Sequence, residues 1–386
     1  NASPGEALFI EAFQYDVEGK GDLIVRNIDS LMLMFPDDKL IPIIASGWFF
    51  YSDDDKCIAL YKKAIEIDPD FFYAHIALGQ KYSGLKEYDK ALECYLKGKE
   101  ILPENPVPIQ RIGVVYRYMG EYEKAVEYLN KAKELNPDEA ITYGSLGHCY
   151  SLLGEYEKAR DNFRDFRSKS DIEGDKIGGY YLISASYLIE RDFEKALEIF
   201  DQLIEYCNLE ENKIEELYAK AFKGYIYMVK GELDKGKEFY EKAIAMIPET
   251  DLSASAIENL NRSSYMWRAF YCSQMEEFEK AEENLENYED LVAGRNDIAP
   301  NWFIPYLYGM IYVGSQDFDN ALESLQKALE INPTSVLGNY ELAKVYDSQG
   351  DLEKAKEHYN NVLDFNLLNM NSAWVRPLVV DRMKDL

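Results

Sequence analysis

One spacing constrains this chain more than any other property. The hexapeptide GEYEKA stands at residues 120–125 and again at 154–159. Its alanine belongs to a series: Ala91, Ala125, Ala159, Ala196, Gly236, Ala281, Ala321 and Ala355, at intervals of 34, 34, 37, 40, 45, 40 and 34. Twelve residues before each stands another small residue: Gly79, Gly113, Gly147, Ser184, Gly224, Ala269, Gly309 and Ala343. Three residues further on, seven of the eight positions are tyrosine: Tyr82, Tyr116, Tyr150, Tyr187, Tyr227, Tyr312 and Tyr346, with Cys272 as the exception. Self-similarity at such periods means a stack of supersecondary units rather than one closed core.

Each unit reads as two short helices. In the second, Ala125, Leu129 and Ala132 follow at i, i+4, i+7, a stripe on one side of a 3.6-residue helix. Gly120 and Gly154 suit the left-handed turn that ends the first helix. An acidic residue follows (Glu121, Glu155, Asp192, Asp317, Asp351) and caps the next helix or favours its dipole, aspartate capping better than glutamate. Proline closes several units, at Pro36, Pro69, Pro103, Pro137, Pro248 and Pro333, where it blocks continuation. Short side chains let the two helices of a hairpin approach, and tyrosine fills the space beside the contact. A lone hairpin cannot bury its apolar face, so its neighbour must cover it.

With Gly113, Tyr116, Gly120, Ala125, Leu129, Ala132 and Pro137, the unit 106–139 resembles the tetratricopeptide repeat. The resemblance covers residues 5–370 as about ten units, starting near 5, 38, 72, 106, 140, 177, 217, 262, 302 and 336, with residues 371–386 as a C-terminal capping segment. It implies an all-α fold, a right-handed α-solenoid superhelix of stacked helix-turn-helix hairpins. More loosely, the opening ASPGEALFIEAFQYDVEGK and the end of the tail resemble repeat arrays attached to bacterial signalling proteins.

The second half departs from the regular period. The stretches 165–179, 206–216, 248–262 and 293–301 exceed an ordinary turn, and some of this length is expected to extend helices. Such lengthening alters the local curvature and can widen a pocket.

Composition narrows the function. The chain has 386 residues and a net charge of -28, which repels phosphate backbones and disfavours nucleic acid as a partner. A neutral-to-basic partner is electrostatically easier. No apolar run approaches ~18 residues, so membrane insertion is not expected. Five scattered cysteines without C-x-x-C spacing favour a reducing compartment, the cytoplasm, with an extracytoplasmic site as the alternative for a processed form. The three histidines, His75, His148 and His358, sit in different units, and no phosphate-cradling or nucleophile motif occurs. The expectation is a protein without enzymatic activity and without cofactor or metal. The many Glu–Lys pairs read as solvated faces.

In the family the first helix of each unit lines the concave face. Carried to the matching positions, this implies Arg111, Arg117 and His148 in the first half. In the second half it implies Tyr181, Tyr218, Phe222, Tyr225, Met266, Trp267, Phe270, Phe303, Tyr306 and Met310, either as anchors in a groove or as core between longer helices. The Lys/Asn/Arg set with which some members hold a C-terminal carboxylate is not reproduced: the matching slots hold Ile76, Gln80, Arg111, Ile141 and Ser145. The resemblance implies a scaffold that binds a peptide or protein segment through apolar and aromatic anchors. The alternative is a ligand-sensing or regulatory domain that takes a small apolar ligand in the widened second half.

Overall fold

The computed structural model describes residues 3–250, 252–293, 295, 301–365 and 367–386. Among them the chain forms 21 α-helices and one 3-10 turn, with no strand. It divides into two compact units, residues 1–149 and 150–386. In the first, hairpins are formed by α1 (Pro4–Val17) and α2 (Gly21–Met34), α3 (Leu40–Phe49) and α4 (Asp54–Ile67), α5 (Phe72–Gly84) and α6 (Tyr88–Ile101), and α7 (Pro106–Tyr118) and α8 (Tyr122–Leu135). The helix α9 (Ala140–Leu152) spans the boundary. The second unit contains α10 (Tyr156–Lys169), then the hairpins α11 (Glu173–Ile189) with α12 (Phe193–Leu209), and α13 (Lys213–Lys230) with α14 (Leu233–Ala245). After these come α15 (Ala254–Gln274) with α16 (Phe278–Val292), α17 (Phe303–Gly314) with α18 (Phe318–Ile331), α19 (Val336–Ser348) with α20 (Leu352–Leu363), and a last helix, α21 (Met370–Met383).

The small residues stand where the helices of a hairpin touch. A Cβ added at Gly113 would lie 2.7 Å from Leu129 Cγ, one at Gly79 2.7 Å from the Tyr95 ring, and one at Gly309 2.5 Å from Leu325 Cγ. Across the contact, Ala91, Ala125, Ala159, Ala196, Ala281, Ala321 and Ala355 are fully buried. In the first unit this places Leu78, Tyr82, Tyr95 and Ile112 in one continuous core.

The turns repeat as closely as the contacts. Lys86, Gly120, Gly154, Arg191, Gly231, Glu276, Gln316 and Gly350 all have φ between 60° and 88°. In each of these eight turns the next N–H, that of the acidic residue, donates to the carbonyl of the tyrosine-series residue at 2.8–2.9 Å. This six-to-one bond ends the first helix. The acidic residue then begins the second. Asp192, Asp317 and Asp351 accept from the backbone N–H three residues on, whereas Glu87, Glu121, Glu155, Glu232 and Glu277 make no such cap bond. Each of these glutamates instead pairs with the lysine three residues on: Lys90, Lys124, Lys158, Lys235 and Lys280. Four of these five lysines also sit over a ring; Lys280 does not, because Cys272 stands in the tyrosine slot of its unit. Lys90 lies 5.2 Å from the Tyr82 centroid, Lys124 5.3 Å from Tyr116, Lys158 5.4 Å from Tyr150 and Lys235 5.5 Å from Tyr227. The lysine of GEYEKA therefore ties its cap residue to the tyrosine of the preceding helix, in addition to any i,i+4 pairing on a solvated face.

The longer stretches of the second half mostly become helix. Residues 165–179 form the end of α10 and the start of α11, and 206–216 join α12 to α13. Residues 248–262 hold the 3-10 turn Ile247–Glu249 and the start of the 21-residue α15. Of 293–301, all but three residues lie outside the described residues.

Two substitutions separate these roles. Gly309→Val forces a branched side chain into Leu325 and is expected to lower stability by about 1–3 kcal/mol. Gln316→Gly relieves a side chain held at φ 64° and is expected to raise it by about 1 kcal/mol. Denaturant unfolding of the full chain checks both signs.

Candidate binding site in the second unit

The first helices of the second unit, three of them lengthened, bring their aromatic residues to one place. Tyr181 of α11, Tyr218, Phe222 and Tyr225 of α13, Trp267 and Phe270 of α15, and Phe303 of α17 line a cavity of about 750 Å³. Six of these rings touch in pairs. Tyr181 meets Phe222 edge-on at 5.0 Å, Tyr218 meets Trp267 at 6.2 Å, and Tyr225 meets Phe270 at 5.8 Å. Tyr240, from the second helix of its hairpin, packs beneath Trp267 and Phe270 and joins the wall. Trp267, Phe222 and Tyr181 remain partly exposed, so ring faces are open to the cavity.

The tail completes the enclosure. α21 packs against α11 as well as against α19 and α20. Its N-terminal residues Asn369, Met370 and Asn371 line the large cavity. One to two turns further on, Trp374, Val375 and Leu378 share a smaller cavity of about 170 Å³ with Tyr225, Phe270, Tyr306 and Met310. α21 thus lies along the face formed by the first helices of five hairpins, α11, α13, α15, α17 and α19. It is held by an Asn369–Ser372 capping box and by the Trp374–Phe193 ring contact at 6.2 Å. Arg382 adds a bidentate pair with Asp347, Nε to Oδ2 at 2.7 Å and Nη2 to Oδ1 at 2.8 Å.

The remaining sequence candidates lie elsewhere. Tyr306 and Met310 are buried and face α21. Met266 is partly buried, its sulfur 3.4 Å from Asn301 Nδ2. Arg111, Arg117 and His148 belong to the first unit. Arg117 is buried, stacks on Tyr118 at 4.5 Å, and has no hydrogen-bond partner at Nε or Nη1. Burial, with the Arg117 charge beside it, pushes His148 down to about 3. The other histidines serve packing: His75 bonds the Pro69 carbonyl at 2.8 Å, and His358 bonds Asn339 and stacks on Tyr346. Burial pushes the Cys94 thiol up to about 11 and those of Cys149 and Cys207 up to about 12, so none is poised as a nucleophile. Among the described residues no group of three His, Cys, Asp or Glu side chains could hold a metal, and no helix is long and apolar enough to cross a membrane.

Sequence reasoning missed Phe166, Asp175, Leu337 and the three tail residues. Asp175 falls in the irregular stretch 165–179 and Asn369–Asn371 in the tail. Neither segment has a register from which a facing direction can be read.

Fold and site together define a protein of stacked helical hairpins. The tetratricopeptide repeat signature matches at residues 60–93, 108–165, 217–250 and 312–366. These four segments of the chain are thus tetratricopeptide repeats. It is similar to the TPR repeat-containing protein MJ1428 of Methanocaldococcus jannaschii, 26% identical over 211 residues, 48% of this chain and 36% of that protein. It is also similar to the uncharacterized protein ycf37 of Pyropia yezoensis, 39% identical over 88 residues, 22% of this chain and 47% of that protein. The chain thus spans between a third and a half of the length of these relatives. Among solved structures, a tetratricopeptide repeat protein from Parabacteroides merdae matches 80% of this chain and 98% of its own at 15% identity, TM-score 0.47. YrrB, described as a TPR protein with an unusual peptide-binding site, matches 50% of this chain and 97% of its own at 21% identity, TM-score 0.38.

The seat of α21 is expected to depend on pH. Hydrogen bonds from Arg382 hold the Asp347 carboxyl below its usual range against the opposing effect of burial. A lowered folded-state value means that the stabilisation is fully present above the unfolded value, about 3.9, and is lost as pH falls through the folded one. Arg382 stays partly in solvent, so Asp347→Asn should cost only about 1 kcal/mol. Hydrogen exchange across residues 370–383, corrected for intrinsic rates, should quicken in that variant at neutral pH and in the parent near pH 3.

Proposed function

We propose that the chain is a non-catalytic protein-interaction module whose second unit holds a segment of a partner, with that segment's apolar side chains seated in the aromatic cavity. The observation that carries this reading is the set of aromatic rings that α11, α13, α15 and α17 place around about 750 Å³. Rigid aromatic faces grouped in one desolvated pocket supply most of the energy in protein recognition. A second reading is a small apolar ligand held in the same place, favoured by a volume within the range of such sites, ~300–1,000 Å³.

Panning a random peptide library against the full chain should enrich peptides with aromatic or aliphatic anchors. The enriched peptide should bind a Phe222→Ala, Trp267→Ala double variant at least about ten-fold more weakly, since each buried anchor contact contributes about 1–2 kcal/mol. Equal binding to the two proteins, both folded by circular dichroism, would remove the cavity from the proposal. Recovery of a small apolar molecule from the purified protein, with no peptide enriched, would favour the second reading.

A further inference from the structure

The cavity carries information about charge as well as shape. Among the described residues no lysine, arginine or histidine lines it, while Asp175 does. The Asp175 carboxylate accepts a hydrogen bond from Ser170 Oγ at 2.7 Å and makes no ion pair among the described residues. Two further carboxylates stand close by without a cation. Glu215, one helical turn before Tyr218 on α13, is partly buried, and its charge together with burial raises the Tyr181 and Tyr218 phenols. Glu173, on the first turn of α11, accepts from Tyr206 at 2.8 Å through Oε2, while its Oε1 is buried without a partner. Elsewhere in the second unit buried acids are paired, as Glu216 is with both Lys213 and Lys220. The buried Tyr225 hydroxyl, on the cavity wall, also lacks a hydrogen-bond partner.

Ring faces are negative, and a cation over them is attracted more strongly once water is excluded. Ring faces, unpaired carboxylates and an absence of lining cations all select the same sign of charge. We infer that the cavity takes a basic side chain: the occupant is a partner segment that presents arginine or lysine between apolar residues, the side chain entering between Tyr181, Phe222 and Trp267 with its charged head toward Asp175 and Glu215. This rests on the reading that the cavity is the partner site. Arginine is favoured over lysine, because its planar head stacks on rings and is more weakly hydrated.

The test uses the full chain and three capped peptides, acetyl-Leu-Phe-Arg-Phe-Leu-amide and its counterparts with citrulline or glutamate in place of arginine. Binding is read by titration calorimetry and by the indole N–H resonance of Trp267. The arginine peptide should bind about ten-fold more tightly than the citrulline peptide at low salt, and the glutamate peptide most weakly. An Asp175→Asn, Glu215→Gln variant should lose most of the arginine preference while keeping its affinity for the citrulline peptide. Equal binding of the arginine and citrulline peptides, both weakened by Trp267→Ala, would overturn the charge inference and leave the cavity as the partner site. No response of the Trp267 resonance to any of the three peptides would overturn both.

Discussion

The close approach of two helices across a pair of small residues is the interaction on which the structure depends. Where Gly113 faces Leu129 and Gly309 faces Leu325, one added carbon would already intrude. Contact at that distance fixes the register of each hairpin, because a one-residue shift of either helix would drive a large side chain into the crossing. With the register fixed, the residue three positions on reaches the turn, where its carbonyl closes the left-handed bend; where it is tyrosine and the next helix supplies the lysine, the ring meets that lysine. The repeat is thus a chain of local consequences, each set by the one before.

The second unit uses that regularity to do something less regular. Its helices α11, α13 and α15 run to 17, 18 and 21 residues, against 13 for α5 and α7. Extra turns at the start of a first helix extend its inner face beyond the repeat positions that hold the aromatic residues, and here those added turns are acidic or polar. Glu173 and Asp175 arrive with the added first turn of α11, and Glu215 with that of α13. The repeat positions supply the aromatic wall of the cavity, and the lengthening adds its unpaired carboxylates.

What could be read from the sequence, and what could not, follows from the range of each interaction. The hairpin contacts were legible because they repeat at fixed local spacing. The aromatic residues of α11, α13, α15 and α17 could be grouped because their positions within the repeat give a direction. The non-glycine turn residues Lys86, Arg191, Glu276 and Gln316 give no conformational signal of their own; only their phase with Gly120 and Gly154 marks them. The lysine-over-tyrosine contact was hidden behind a more familiar reading of Glu–Lys pairs on a solvated face. Leu337 comes from a hairpin whose aromatic content drew no notice. Asn369, Met370 and Asn371 reach the cavity only because α21 returns to α11, a meeting of segments almost two hundred residues apart that no periodicity announces.

That meeting changes the kind of object the second unit is. An open stack of repeats has free ends and can melt from either one, since each hairpin is held only by its neighbours. Here the last helix rests on the first hairpin of the unit, with Met370 and Ala373 in one core with Ile183 and Phe200. The stack becomes a loop in the sense of its contact map. Fraying at the C-terminal end breaks contacts at both ends together, so residues 173–383 behave as one cooperative block rather than a row of separable ones. The cost is kinetic, because a contact between segments almost two hundred residues apart raises the contact order of the unit.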